Sequence, residues 1–104
     1  GQNLIIDENN NSILYSLATA NIDNSMKLNF YKSLNYGDDW NAPVLVADNI
    51  SPQTVNNNAL LKVDSTLYAA YLTVEDNQVN MQEGRIYLYK SVDSGDNWSQ
   101  VGSS

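Results

Sequence analysis

The sequence predicts an all-β protein made of two copies of one strand-and-turn unit. Apolar and polar residues alternate in short runs, as in strands that present side chains to each face in turn. Asn-rich stretches at residues 9–11 and 56–58 separate these runs, as expected of turns. No window combines a sustained helical period of apolar residues with helix caps, so we expect no helix.

The two halves of the chain are related by an internal repeat. Residues 27–33 (Lys-Leu-Asn-Phe-Tyr-Lys-Ser) align with residues 85–91 (Arg-Ile-Tyr-Leu-Tyr-Lys-Ser), 58 residues further on. Residues 12–15 (Ser-Ile-Leu-Tyr) align with residues 65–68 (Ser-Thr-Leu-Tyr) at a spacing of 53, and a longer loop at residues 78–83 explains the difference. We therefore divide the chain into a first repeat, residues 1–58, and a second repeat, residues 59–104.

Each repeat is expected to form a small antiparallel sheet. Strands are predicted at residues 4–6, 13–20, 27–33 and 44–47 of the first repeat, and at residues 60–63, 67–74 and 85–91 of the second. Tyr87 and Tyr89 alternate with Ile86 and Leu88, which places apolar side chains on both faces of that strand. Only residues 99–104 follow Trp98. The second repeat is therefore predicted to be incomplete and to lack its fourth strand.

The same turn motif follows the third predicted strand of both repeats. Residues 33–40 (Ser-Leu-Asn-Tyr-Gly-Asp-Asp-Trp) and 91–98 (Ser-Val-Asp-Ser-Gly-Asp-Asn-Trp) fit the pattern Ser-x-(Asp/Asn)-x-Gly-x-polar-Trp. The glycine can adopt the positive φ that a tight strand reversal needs. Asn35 or Asp93 can accept hydrogen bonds from turn amides. The tryptophan supplies apolar surface and an indole N–H that needs one acceptor.

These motifs resemble the Asp-box, or bacterial neuraminidase repeat, of sialidases, other glycan-processing enzymes and sortilin-type receptors. The resemblance implies a β-propeller whose four-stranded antiparallel blades carry one box each. It also implies a structural role for the boxes, which lie away from the substrate face in that family. Asn35 replaces the usual Asp, and Asp39 and Asn97 stand where Thr or Ser is commoner. The box residues are Ser33, Asn35, Gly37, Trp40, Ser91, Asp93, Gly95 and Trp98.

Two blades cannot close a propeller, which needs about four to eight. The chain is therefore expected to be part of a larger or oligomeric propeller. Either the remaining blades belong to a longer protein, or copies of the chain assemble into a homo-oligomer. Three copies would form a six-bladed ring, and a cyclic trimer is a closed symmetry, so we favour the trimer.

Composition limits the partners and the chemistry. A net charge of −7 and a pI near 4.1 argue against nucleic acid and anionic membrane surfaces as partners. With no cysteine and no histidine, the chain has no disulfide, no Ser-His-Asp triad and no thiolate or imidazole ligand for zinc. We expect no cofactor and no metal. The resemblance implies glycans as possible ligands and an extracellular location.

A sialidase active site is not expected within this chain. The resemblance implies three arginines that bind the substrate carboxylate, and the only arginine is Arg85, in the strand before the second box. Arg85 is a weak candidate for binding, and a Tyr–Glu pair among Tyr68, Tyr71 and Glu75 is weaker still. No residue is assigned a catalytic role.

Three functions remain open. The first is a structural or carbohydrate-binding portion of an extracellular Asp-box propeller that is inactive alone. The second is a fragment of a sialidase-like glycoside hydrolase whose catalytic arginines lie outside this chain. The third is a self-assembling propeller unit without a ligand.

Overall fold

The computed structural model describes residues 4–48, 50, 58–76 and 82–103, with side chains described for all of these except residues 73–76, 82–85 and 103. The described residues form eight strands and no helix. The strands are β1 Leu4–Ile6, β2 Leu14–Ile22, β3 Ser25–Ser33, β4 Val44–Ala47, β5 Asn58–Val63, β6 Thr66–Asp76, β7 Gln82–Ser91 and β8 Ser99–Ser103. The all-β prediction is confirmed.

The strands form two four-stranded antiparallel sheets, each with its strands in chain order. Sheet 1 consists of β1 to β4, and sheet 2 consists of β5 to β8. Asp23 and Asn24 join β2 to β3 with φ values of 54° and 63°, the left-handed pair of a two-residue hairpin. In each sheet the motif turn lies between the third and fourth strands. Successive reversals put this turn at the same end as the turn between the first two strands.

The prediction that the second sheet lacks its fourth strand is wrong. β8 pairs with β7, with Ser99 opposite Lys90 and Ser103 opposite Tyr87. Residues 99–102 are exposed. An edge strand can pair through its backbone amides and carbonyls without a buried apolar face, so apolar alternation does not reveal it. Also, β5 begins at Asn58, the residue predicted to end the first repeat.

The register of the strands reproduces the internal repeat. Tyr15 lies opposite Lys32 in sheet 1, and Tyr68 lies opposite Lys90 in sheet 2. Both pairs follow the alignment of residues 12–15 with 65–68 and of 27–33 with 85–91. Each position on the two central strands of sheet 1 therefore has an equivalent position in sheet 2, on the equivalent face.

The core lies between the two sheets. Sheet 1 contributes Tyr15, Leu17, Leu28 and Phe30, and sheet 2 contributes Leu60, Leu67, Ala69 and Tyr71. All eight side chains are buried in one cluster. Full burial of one such large apolar side chain is worth about 1.5–3 kcal/mol, so this layer is the main source of stability for the pair of sheets.

Candidate functional site

Serine and glycine form the same hydrogen bond in both boxes. The Ser33 Oγ accepts a bond of 2.8 Å from the Gly37 amide, and the Ser91 Oγ accepts one of 2.8 Å from the Gly95 amide. Both glycines have positive φ, 89° and 93°. Both serines are buried, at 0% and 1% exposure. The serine hydroxyl therefore anchors the turn to the end of the third strand.

The third and seventh positions of each box form a second bond that closes the turn. The Oδ1 of Asn35 accepts from the Asp39 amide at 2.8 Å, and the Oδ1 of Asp93 accepts from the Asn97 amide at 2.9 Å. This is the turn-capping role predicted for Asn35 and Asp93. Both boxes thus satisfy turn amides that would otherwise lack a partner within the turn.

Each box also contains a hydrogen bond between a side-chain amide and a carboxylate, but the two groups occupy opposite positions in the two boxes. In the first box, the Asn35 side-chain amide donates to the Asp39 carboxylate at 2.8 Å. In the second box, the Asn97 amide donates to the Asp93 carboxylate at 2.6 Å. The donor and the acceptor have changed places, and the bond is kept. Asn35, which stands in place of the usual Asp of the Asp-box pattern, therefore bonds to Asp39, which stands in place of the usual Thr or Ser.

These bonds lower the pKa of Asp93 to about 2, from an ordinary value of 3.8. The largest cause is the side-chain bond from Asn97, followed by the Ser91 hydroxyl and the Asn97 backbone amide. Each of these donors favours the charged form of the carboxylate. Asp93 is therefore a permanent anion at neutral pH, and its oxygens are occupied by the turn.

The two tryptophans have different surroundings. The Trp98 ring lies 5.2 Å from the Phe30 ring of sheet 1, and its indole N–H donates to the Gly95 carbonyl at 2.9 Å. Trp40 is 41% exposed. It borders an apolar hollow on the face of sheet 1 that points away from sheet 2. The acceptor that the indole N–H needs is thus the Gly95 carbonyl in the second box, and Trp98 packs on the other sheet, whereas a large part of Trp40 remains accessible to solvent.

A polar cleft of about 620 Å³ opens between the sheets, at the same end as the boxes. Its walls come from the β1–β2 loop, the β5–β6 turn and the second box. The lining side chains with polar groups are Asp7, Glu8, Asn9, Asn10, Tyr15, Lys62, Asp64, Ser65 and Ser94. The carboxylates, amides and ammonium group together offer hydrogen-bond donors and acceptors to a polar ligand.

Asp7 organises one wall of this cleft. Its carboxylate accepts bonds from the Asn9 amide at 2.8 Å, the Asn10 amide at 3.2 Å and the Tyr15 hydroxyl at 2.7 Å. The Lys62 ammonium lies 3.9 Å from Asp7 and also 3.9 Å from Glu8. The Tyr15 bond is the largest cause that holds the pKa of Asp7 below its ordinary value. Burial and Asp7 together raise the pKa of Tyr15, so the phenol stays protonated.

The residues of this cleft are far apart in the sequence and form no motif there. Asp7 and the following Asn-rich stretch look like an ordinary turn after a short strand, and Lys62 lies in a strand of the other repeat. Only the packing of the two sheets brings them together. The one available signal was Asp7 itself, a turn-forming acid directly after an apolar strand.

The enzymatic candidates are not assembled into a site by the described residues. Arg85 lies on β7 opposite Thr73, and its side chain lies outside the described residues, as does that of Glu75. Tyr71 is buried, and its ring stacks on Tyr87 at 4.9 Å. Burial is the first cause that raises the pKa of Tyr71. Tyr71 is therefore a core residue.

The part of the chain that the structure describes contains no group of three or more acidic, histidine or cysteine residues placed to hold a metal ion. It also contains no helix long and apolar enough to cross a membrane.

Comparisons with protein-family models, with curated proteins and with solved structures found no match to this chain. The Asp-box resemblance is accordingly based on residues 33–40 and 91–98 themselves.

Proposed function

We propose that this chain is a structural or carbohydrate-binding portion of an extracellular Asp-box β-propeller, without hydrolytic activity of its own. The observation behind this proposal is the doubled box. Both copies lie at the same turn of a four-stranded antiparallel sheet and make the same serine–glycine bond. Two sheets packed face to face, each with such a turn, match what the resemblance implies for consecutive blades.

The structural role is supported by the way the box groups are used. In the second box, the Ser91 hydroxyl and the Asp93 carboxylate both bond within the turn. A carboxylate with a pKa near 2 is a poor general acid or base at neutral pH. The box acids therefore stabilise turns and do not act on a substrate.

The carbohydrate-binding role is supported by the polar cleft. Sugars are bound by sets of carboxylate, amide and ammonium groups beside aromatic or aliphatic surface. The cleft combines Lys62, Asn9 and Asn10 with the apolar side chains of Ile13 and Leu67. It lies at the box end of the sheets, whereas the resemblance places the substrate face of the family at the opposite end. A glycan bound in this cleft would therefore occupy a different surface from the substrate face that the resemblance implies.

Hydrolysis of a sialoside requires a carboxylate clamp that this chain cannot form alone. A single guanidinium provides one planar fork, and the resemblance implies three. We therefore expect binding without turnover.

The test combines binding and activity on one sample. Amide shifts of the ¹⁵N-labelled chain are followed during titration with sialyllactose and with neutral oligosaccharides, and a fluorogenic sialoside is assayed in parallel. We expect shifts at residues 7–10, 62–65 and 94, reduced by Lys62→Gln and unchanged by Lys27→Gln. Lys27 is the matched control because its ammonium pairs with Asp48 at 2.7 Å, near the other end of sheet 1. Turnover that Arg85→Ala abolishes would instead identify a sialidase-like hydrolase. The absence of shifts with every sugar would leave only the structural role.

A further inference from the structure

Each sheet packs on the other through one inner face and has an outer face that also presents large apolar side chains. The outer face of sheet 1 contains Leu4, Ser16, Ala18, Tyr31 and Trp40, around a hollow of about 390 Å³. The outer face of sheet 2 contains Leu61, Tyr68, Ala70, Ile86 and Leu88. Trp40 is 41% exposed, Ile86 52% and Leu61 59%. Both outer faces thus leave large apolar side chains accessible to solvent.

The internal repeat makes each outer face equivalent to an inner face. Strand register gives Leu4, Ser16, Ala18, Tyr31 and Trp40 of sheet 1 the equivalents Leu60, Ala69, Tyr71, Tyr89 and Trp98 of sheet 2. It gives Tyr15, Leu17, Leu28 and Phe30 of sheet 1 the equivalents Tyr68, Ala70, Ile86 and Leu88 of sheet 2. The sheet 2 residues of the first comparison form the inner face of sheet 2. The sheet 1 residues of the second comparison form the inner face of sheet 1. The two outer faces are therefore copies of surfaces that already pack on each other.

The polar contacts between the sheets are duplicated in the same way. The Lys32 ammonium of sheet 1 donates to the Ser94 carbonyl at 3.2 Å and lies 3.5 Å from the Asp96 carboxylate. The equivalents of these three residues are Lys90, Tyr36 and Asp38. Lys90 is exposed beside the outer face of sheet 2, and Asp38 is exposed in the box next to the outer face of sheet 1. The two outer faces thus have opposite charges at matching positions.

We propose that the outer face of sheet 1 binds the outer face of sheet 2 of a second copy of this chain, with the packing that sheet 2 makes on sheet 1 within one copy. Trp40 of one copy then packs on Leu88 of the next, as Trp98 packs on Phe30. Lys90 then pairs with Asp38, as Lys32 pairs with Asp96. The driving force is removal of the apolar outer faces from water.

This interface is head to tail, since it joins two different surfaces. A dimer formed in this way still has one free face of each kind, so further copies add until the ring closes. Three copies contribute six sheets, within the range of about four to eight sheets in a closed propeller. The discrete product expected is therefore a trimer.

A sugar is the other occupant that the Trp40 hollow could take, because indole rings serve as platforms for saccharides. The second copy is favoured because the hollow is mainly apolar and because its equivalent, around Trp98, is filled by Phe30 of the neighbouring sheet. The sugar cleft proposed above is at a different place, so a chain that binds no sugar can still assemble. The two proposals therefore fail separately.

The test uses one charged substitution on each outer face. Trp40→Glu disables the outer face of sheet 1, and Ile86→Glu disables that of sheet 2. Val92→Glu is the matched control, because Val92 is 71% exposed but lies in the second box turn. Sedimentation velocity is recorded from micromolar to near-millimolar concentration, with circular dichroism to verify that each variant is folded.

The unmodified chain and Val92→Glu are expected to form a discrete species of about three times the monomer mass, and each face variant alone is expected to stay monomeric. An equimolar mixture of the two face variants keeps one intact interface and should form a dimer, which is the diagnostic result for a head-to-tail contact. A monomeric unmodified chain at all concentrations would overturn the proposal. So would assembly that survives both face substitutions, a mixture that stays monomeric, or a saccharide that shifts the Trp40 indole signal while the chain remains monomeric.

Discussion

The Phe30 ring of sheet 1 packs against the Trp98 ring of sheet 2 at 5.2 Å, with the two planes inclined by 58°. Tilted aromatic pairs at this distance are worth about 0.5–1.5 kcal/mol beyond their buried area. The contact joins the last residue of one box to the third strand of the preceding sheet. It explains why a motif that ends in tryptophan both closes a turn and fixes how neighbouring sheets stack.

A substitution at Gly95, in the turn of the second box, tests the contact between this box and Phe30. A Cβ at Gly95 would lie 2.0 Å from Phe30 Cε2, on a backbone with φ +93°. Gly95→Ala should lower the free energy of unfolding by about 2–4 kcal/mol, because left-handed strain adds to overpacking. Gly37→Ala should cost only about 1–2 kcal/mol, since its Cβ would lie 3.2 Å from the Leu14 side chain. Urea denaturation of both variants measures the difference.

Gly102→Ala is the control for those two variants. A Cβ at Gly102 would meet no atom within 4 Å, and its φ is not in the left-handed region. Its stability should match the unmodified chain. Equal losses at Gly95 and Gly37 would mean that Phe30 does not pack on the second box.

Replacement of Trp98 should lower the stability of the fold more than replacement of Trp40. Trp98→Ala removes the contact with Phe30 and the bond to the Gly95 carbonyl, and should cost about 3 kcal/mol. Trp40→Ala should cost at most about 1 kcal/mol, because exposed side chains contribute little to folding. Thermal unfolding at low concentration, where assembly does not contribute, measures both. A larger loss at Trp40 would reverse the assignment of the inner and outer faces.

The second box should also contribute a specific pH dependence. The pKa of Asp93 is about 2 when folded and ordinarily 3.8, so folding favours the charged form. The stabilisation is therefore fully present above about pH 4 and is lost as the pH falls toward 2. The difference in melting temperature between the unmodified chain and Asp93→Asn should shrink over that interval. A carboxyl carbon titration by NMR gives the pKa directly, and a value near 4 would contradict the proposed bonding.

Much of the fold could be predicted because the strands and the turns of both repeats are marked by patterns of neighbouring residues. Alternating apolar runs placed seven strands, and the spacing of serine, asparagine or aspartate, and glycine placed both boxes. The reciprocal bonds at Asn35 and Asp93 follow from side chains that can reach their own turn. These features depend on residues within a few positions of one another.

The remaining features depend on contacts between distant parts of the chain. β8 is exposed and pairs through its backbone, so no apolar pattern revealed it. Trp40 and Trp98 occupy the same position in their boxes, but only Trp98 has a neighbouring sheet to pack on. Asp7 and Lys62 belong to different repeats and meet only when the sheets stack.

The reversed positions of the amide and the carboxylate in the two boxes give the most direct test of the claim that both boxes are the same structural motif. Asn97→Asp places two carboxylates together, and Asp93→Asn places two amides together, so each single variant should melt below the unmodified chain. The double variant Asp93→Asn/Asn97→Asp recreates the arrangement of Asn35 and Asp39, and should recover most of the lost melting temperature. Melting temperatures of these four proteins at pH 7 decide the matter. A double variant that loses as much as the two single variants combined would contradict the account.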